Sequence, residues 1–366
     1  MTRHFVVGAA LVLASGTAHA AGIERSRTPI DMLFEEGRQM RFALTSVSPE
    51  VSGEYPAALG GGSTGDMAGS YVNATLAFRD EIRPGLDAVV SLAQPYSAHS
   101  TYEQGIYSGL RARWHSTSLT ALLRYGVTDR ISVYGGPRLV SSRAEIDIPP
   151  ALIFAATGNP VPYTARGAAD TRLGYVVGAA YERPDIALRV GLTYESAIVH
   201  KFDTTETVGS ASFTGTTRVE MPQSLTFDFQ TGVARDTLLF GSVRWSEWSK
   251  WEVAPPVFAA SAGRPITSFD TDVYTWTLGV GRRIDDRLSV FARASYEDHA
   301  GIVASRLSPT DGYSSLGLGG TYTLPNETKI TAGVEYVSLG DTTDSSGTRF
   351  EGNSALALGV QVNVKF

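Results

Sequence analysis

The sequence predicts an all-β protein, a membrane-spanning antiparallel β-barrel of about 14 strands. Three observations predict it. A secretory leader opens the chain, apolar and polar residues alternate along it to the last residue, and its connections are alternately short and long.

Arg3 and His4 precede an uncharged apolar run over residues 5–15, and Ala18-His19-Ala20 puts small residues where a signal peptidase reads. Residues 1–20 are therefore expected to be a signal peptide cleaved after Ala20. The run falls short of the roughly 20 residues that a membrane-spanning helix needs. No Cys follows the cleavage point to carry a lipid anchor.

Composition excludes several classes. A soluble chain of 366 residues usually divides into domains, yet no Pro/Ser-rich linker or charge block marks a boundary. Cysteine is absent and the six histidines show no metal-ligand spacing, so neither disulfide, metal nor cofactor is expected. The formal charge of -6 does not suit nucleic acid. His99, His115, His200 and His299 fall in or near long connections, but neither Gly-x-Ser-x-Gly nor His-Glu-x-x-His occurs. No enzyme activity is expected.

The C-terminal strand is the clearest. Leu356, Leu358, Val360, Val362, Val364 and Phe366 alternate with Ala355, Ala357, Gly359, Gln361, Asn363 and Lys365, so one face is apolar throughout. Outer-membrane barrels commonly end in such an aromatic residue, which resembles the signal that their assembly machinery reads. Upstream, Leu288, Val290, Ala292, Ala294 and Tyr296 oppose Ser289, Phe291, Arg293, Ser295 and Glu297. Ile330 to Tyr336, Leu188 to Tyr194 and Leu119 to Tyr125 repeat the pattern. Each row finishes in an aromatic, as an interfacial girdle requires.

Tight polar connections are expected at residues 80–85, 128–130, 182–185, 235–236, 285–286 and 325–326. Long ones are expected at residues 97–115, 148–170, 204–218, 254–271, 300–311 and 340–353. This is the parity of short periplasmic turns and long extracellular loops. With residues 39–53 as the first strand and 354–366 as the last, the even total returns the C-terminus to the side where the chain began. Pairing first strand with last removes both edges, which would be costly in lipid. The lumen exceeds that of an eight-stranded barrel, so something must plug it or pass through it.

The motifs Met221-Pro222-Gln223-Ser224, residues 233–237, and Val243-Arg244-Trp245-Ser246-Glu247-Trp248-Ser249 resemble the FadL/TodX family of outer-membrane transporters. The turns Thr128-Asp129-Arg130-Ile131-Ser132-Val133 and Asp286-Arg287-Leu288-Ser289-Val290 are similar to that family's too. The resemblance runs from about Gly37 to Phe366. It implies a Gram-negative outer-membrane location and passive uptake of long-chain fatty acids or related hydrophobic molecules through a gated barrel. It also implies an N-terminal plug, assigned to residues 21–37, ahead of the barrel at 38–366. The family's Asn-Pro-Ala segment is missing there, with Phe34-Glu35-Glu36-Gly37 near its place. Ile30, Met32, Leu33 and Phe34 give the short plug an apolar side.

The resemblance points to candidate binding residues. Pro149-Pro150-Ala151-Leu152-Ile153-Phe154-Ala155-Ala156 is unusually apolar for a loop. It is either a landing patch for substrate or a helix packed over the mouth, with Leu152, Ile153 and Phe154 at its centre. Alternation turns Arg124, Arg189, Arg244 and Arg293 inward. Arg244 and Arg293 are candidates for a substrate carboxylate, unless they pair with inward acids such as Glu195, Asp228, Glu297 and Glu335. Phe291 lies in the row of Arg293, and Trp245, Trp248 and Trp251 either pack the wall or stack on an aromatic ligand. Pro84, Gly85 and Pro95 bracket the third strand, where the family places a wall opening. The expected partners are a hydrophobic ligand, outer-membrane lipid, and the assembly machinery through Phe366, with the barrel a monomer. A diffusion porin and a structural or adhesion barrel are the alternatives.

Overall fold

The computed structural model describes residues 23–299, 301 and 303–366. The expected signal peptide lies outside them. The described strands close into a barrel of 14 antiparallel strands. They are β1 (Gln39–Glu50), β2 (Tyr71–Arg83), β3 (Leu86–Ala93 and Ser97–Thr101), β4 (Arg111–Gly126), β5 (Ile131–Ile148), β6 (Tyr163–Arg183) and β7 (Leu188–Glu195 and Ile198–Val208). Then follow β8 (Ala211–Met221 and Ser224–Ala234), β9 (Thr237–Ser246), β10 (Val273–Arg283), β11 (Leu288–Glu297), β12 (Tyr313–Thr323), β13 (Lys329–Leu339) and β14 (Ser354–Lys365). β1 pairs with β14 from Gln39↔Lys365 to Glu50↔Ser354, so neither the first nor the last strand leaves a free edge.

Alternation decides which face is which. In β1, Met40, Phe42 and Leu44 are exposed while Arg41, Ala43 and Thr45 are buried in the lumen. In β14 the exposed row is Leu356, Leu358 and Val360, and Ala355, Ala357 and Gln361 face inward. Exposed aromatics ring both ends of this belt. Tyr125, Tyr181 and Tyr322 stand near the short turns, and Tyr175, Tyr274, Trp276, Tyr296 and Tyr336 near the long loops.

All six tight turns fall where expected, and three other expectations need correction. Residues 204–218 are not a loop: β7 and β8 run on as a ladder to the two-residue turn Gly209-Ser210. Residues 97–115 likewise contain the upper part of β3 and the start of β4. In these stretches the strands have risen past the apolar belt. Polar residues such as Thr204, Glu206, Thr205 and Thr207 occupy both faces, so the period-two signal disappears. The Trp-containing strand also stops early, because β9 ends at Ser246 and Trp248–Lys250 is a 3-10 turn whose Ser249 is held by Asp272.

The long loops build a cap. Two helices, α1 (Pro150–Thr157) and α2 (Pro256–Ala262), sit over the mouth, each with Pro at its first turn and a left-handed Gly at its end. Tyr55, Tyr102 and Tyr107 pack edge to face at 5.0 and 5.3 Å, and the Tyr107 hydroxyl donates to Asp344.

Candidate functional site

Pro95 interrupts β3, since it has no N–H to give a ladder. The lower part of β3 pairs with β2 as far as Leu92↔Leu76. The upper part turns inward and pairs with β4. Tyr71–Thr75 of β2 are therefore without a ladder partner on that side, and the Ala74 N–H reaches instead to the Gln94 side chain at 3.2 Å.

The chain's own N-terminal segment covers this break from inside. Arg25 N donates to Pro95 O at 2.7 Å and Ser97 N to Ile23 O at 2.8 Å, which makes residues 23–26 a short antiparallel strand. Ser26 Oγ donates to Gln94 O at 2.8 Å, and Asn73 Nδ2 to Arg25 O at 3.1 Å. Backbone groups that a broken wall would leave unpaired are thus satisfied by a peptide that is not part of the wall.

Electrostatics hold the same segment. Arg244 donates to Glu24 through Nη2 at 2.7 Å and Nε at 3.3 Å, to Glu195 at 3.0 Å and to Thr226 Oγ1 at 2.8 Å. Arg138 lies 3.8 Å from Glu195, and Thr28 also donates to that carboxylate. Two acids and two guanidiniums, each nearly fully buried, balance one another. Further down, Met32 and Leu33 of the 3-10 turn Ile30–Phe34 are fully buried among Ala77, Val89, Leu122, Tyr134, Val176 and Ala180. The Phe34 ring lies between Arg124 and Arg189, whose guanidinium carbons are 4.7 and 4.5 Å from its centroid. Asp31 meets Arg41 at 2.6 Å.

The lumen is layered around this segment. Above it is an apolar cavity of about 80 Å³ lined by Ile23, Trp114, Phe202, Val219, Trp251 and Phe269. Toward the outside, a wider cavity of about 250 Å³ opens among α1, α2 and residues 303–307, and shares Ile266, Thr267 and Leu307 with the first. Below lies a polar chamber of about 170 Å³ that includes Arg41, Arg189, Asp228, Arg244 and Arg293. The path is therefore mixed at the mouth, where Arg264, Asp270 and Arg306 join the lining, apolar in the cavity beside Ile23, and charged beyond it.

The residues singled out from the sequence are spread over these layers. Arg244 sits at the boundary and is bound to Glu24 and Glu195, while Arg293 pairs with Glu335 in the lower chamber. Phe291 is buried in the lumen against Gly319, where a Cβ would lie 2.2 Å from the ring. Trp248 packs behind the apolar cavity, 5.4 Å from Phe269 and 6.2 Å from Trp251. The Trp245 indole donates to Asp272 at 2.9 Å. Leu152 and Ile153 are buried beneath α1, and Phe154 is 56% exposed. The structure thus brings Trp248 and Trp251 together, and leaves Arg293 and Phe291 a layer below.

Sequence reading missed Ile23, Glu24, Trp114 and Phe202. A signal was present for two of them. In the upper parts of β4 and β7 the polarity inverts, with Arg111, Arg113, His115, Lys201 and Asp203 outward and Ala112, Trp114 and Phe202 inward. That inversion marks strands that have left the membrane and surround an apolar interior.

The family model described as outer membrane protein transport protein (OMPP1/FadL/TodX) matches residues 6–366. No curated protein matches the sequence. Among solved structures, a Pseudomonas aeruginosa FadL homologue superposes with a TM-score of 0.75 at 15% identity, over 96% of this chain and 98% of its own. The Pseudomonas putida toluene transporter TodX gives 0.68 at 14% identity, over 97% and 98%. The Ralstonia pickettii toluene transporter TbuX gives 0.65 at 14% identity, over 96% and 98%. At these identities the likeness establishes the fold.

Proposed function

Because the chain belongs to the OMPP1/FadL/TodX family of outer-membrane transport proteins, we propose that it carries small hydrophobic molecules inward, with residues 23–37 as its gate. Members of the family are transport channels of the Gram-negative outer membrane, and this chain is a multi-pass barrel of that kind.

One observation carries the gate reading: the segment that lines the apolar cavity through Ile23 also satisfies the break in β3. The cavity's 80 Å³ is about half the roughly 150 Å³ that holds benzene in an engineered apolar cavity. A ligand of that size must displace part of the lining, and residues 23–26 lie inside the wall, held to it by hydrogen bonds and an ion pair rather than as one of its strands. Substrate would settle on Leu152, Ile153 and Phe154, enter between α1 and α2, fill the space beside Trp251 and Trp248, and push Ile23 aside. The break then connects the lumen with the membrane next to Val72 and Leu92. An acyl chain prefers that exit by about 0.8 kcal/mol per buried CH2.

Fatty acids and hydrocarbons would act differently at the boundary. A carboxylate can exchange with that of Glu24 on Arg244, releasing the segment while keeping the guanidinium paired. A hydrocarbon has only volume to push with. Arg293 would then line the lower chamber rather than a first binding site, with Phe291 packed against Gly319. In this reading residues 1–20 are removed on export, the exposed Phe366 serves the assembly machinery, and the barrel works as a monomer.

The chain has no native cysteine, so Ser26→Cys with Gln94→Cys forms a clean lock between gate and wall. In cells, the oxidised lock should lower uptake of radiolabelled oleate and toluene at least tenfold, and reductant should restore it. Equal uptake by oxidised and reduced protein rejects the gate.

A further inference from the structure

We infer that the outer wall over β4–β8 carries a docking site for a phosphorylated, anionic lipid of the outer leaflet. The outward residues of these strands change character sharply with height. Leu119, Leu139 and Leu173 are 43%, 42% and 66% exposed and end the apolar belt. Two positions higher the outward residues are Thr117, Ser141 and Thr171; the next are His115 on β4 and Arg143 on β5, then Ala169 on β6, with Lys201 on β7 and Arg218 on β8 beyond it. His115 stands directly opposite Arg143, and Lys201 directly opposite Arg218. At about 4.8 Å between strands, the row crosses five strands and about 19 Å of the barrel's circumference.

The row is not neutralised by the protein. Arg218 pairs with Glu220 at 2.9 Å. The side chains of Arg143 and Lys201 are exposed and form no ion pair among the described residues, although the Lys201 backbone N–H donates to Asp170 at 3.2 Å. Like charges directly opposed across a ladder are destabilising, so the facing Lys201 and Arg218 mark a place where a counter-charge from outside stabilises the wall. One row higher the charges are paired, with Arg113 and Arg166 on Glu145 at 3.5 and 3.7 Å. Unpaired basic side chains thus gather at the rim of the apolar belt on this side, with the exposed Asp203 above Lys201 as the neighbouring acid, while strand tops and loops elsewhere mix Glu50, Asp298 and Glu351 with Lys250, Arg264 and Arg349.

This combination selects the occupant. A soluble anion needs no apolar floor, and a neutral lipid needs no cations. A lipid with phosphate on its headgroup uses both, with acyl chains on Leu139 and Leu173 and phosphate between Arg143 and Lys201. The site lies outside the lumen and is independent of the gate.

The test uses the full chain in neutral detergent, with binding read by native mass spectrometry. Bisphosphorylated lipid A, the same lipid dephosphorylated, phosphatidylethanolamine and inorganic phosphate are titrated separately. Bisphosphorylated lipid A should bind at least tenfold more tightly than the other three. Arg143→Ala with Lys201→Ala should weaken it at least tenfold, and the charge-preserving Arg143→Lys with Lys201→Arg should stay within threefold of the parent. Heat-modifiable migration on gels checks that each variant is folded, and single alanine variants replace the double one if it is not. Equal affinity for dephosphorylated lipid or free phosphate overturns the site. So does a folded alanine variant that binds like the parent.

Discussion

Neutralising Glu24 should free the N-terminal segment without unfolding the barrel. In the folded protein Glu24 and Arg244 make two contacts, at 2.7 and 3.3 Å, with side chains 8% and 6% exposed. Removing one partner of a fully buried pair costs about 3–5 kcal/mol when the other charge is stranded. Arg244 is not stranded, since Glu195 at 3.0 Å and Thr226 at 2.8 Å remain. The cost of Glu24→Gln should therefore be about 2–3 kcal/mol. That lowers the docked-to-undocked ratio about 30- to 150-fold. The reporter is Ser26→Cys, a lone thiol placed where Ser26 is 2% exposed. Its labelling by a small maleimide measures the undocked fraction, and Glu24→Gln should speed it by that factor. A rate within threefold of the parent, or the same gain from the remote Glu81→Gln, would refute the reasoning. Adding Arg244→Gln to Glu24→Gln completes a double-mutant cycle that isolates the pair from general loosening.

Three further outcomes are expected. Ala144→Phe fills the apolar cavity that Ala144 lines, and should weaken binding of a radiolabelled hydrocarbon at least tenfold while leaving the melting temperature unchanged. Phe154→Asp, on the exposed side of α1, should change stability by no more than about 0.5 kcal/mol yet raise the substrate concentration for half-maximal uptake; buried Ile153→Ala should instead cost about 2–5 kcal/mol of cap packing, seen as faster proteolysis of the loops. In the cap, burial and the neighbouring Asp344 carboxylate raise the Tyr107 hydroxyl above its ordinary range. A raised folded value means its contribution is complete below about pH 10 and is lost as pH climbs further, so loop cleavage should accelerate above pH 10 in the parent and much less in Tyr107→Phe.

The membrane-spanning part of the fold was legible because lipid and lumen impose opposite chemistry on successive residues. Leu356, Leu358 and Val360 cannot face inward, nor Gln361 and Asn363 outward, so β14 reads directly from its composition. Tight turns such as Asp285-Asp286 were equally clear, since few residues can reverse a chain so quickly. Above the belt that opposition ends. The hairpin through Gly209 has water outside and polar residues inside, which is why its strands looked like a loop. The N-terminal segment inside the barrel was only half visible. Met32 and Leu33 are apolar in any reading, but Glu24 and Arg244 lie 220 positions apart, and periodicity shows that Arg244 points inward without showing what it meets. The apolar cavity is built from Ile23, Trp114, Phe202 and Trp251, which come together only once the barrel has closed.

The segment from Gly37 to Ile23 threads upward from the turn side of the barrel and sets Ile23 beside the space a ligand would fill. Anything bulky left ahead of Ile23 would then contend for the same volume as cargo. On the proposal that residues 1–20 are removed on export, that removal would be an activation step as well as a trafficking step, and an uncleaved precursor would be a correctly inserted but silent channel. On the same proposal, a purification tag placed directly ahead of Ile23 would inhibit uptake.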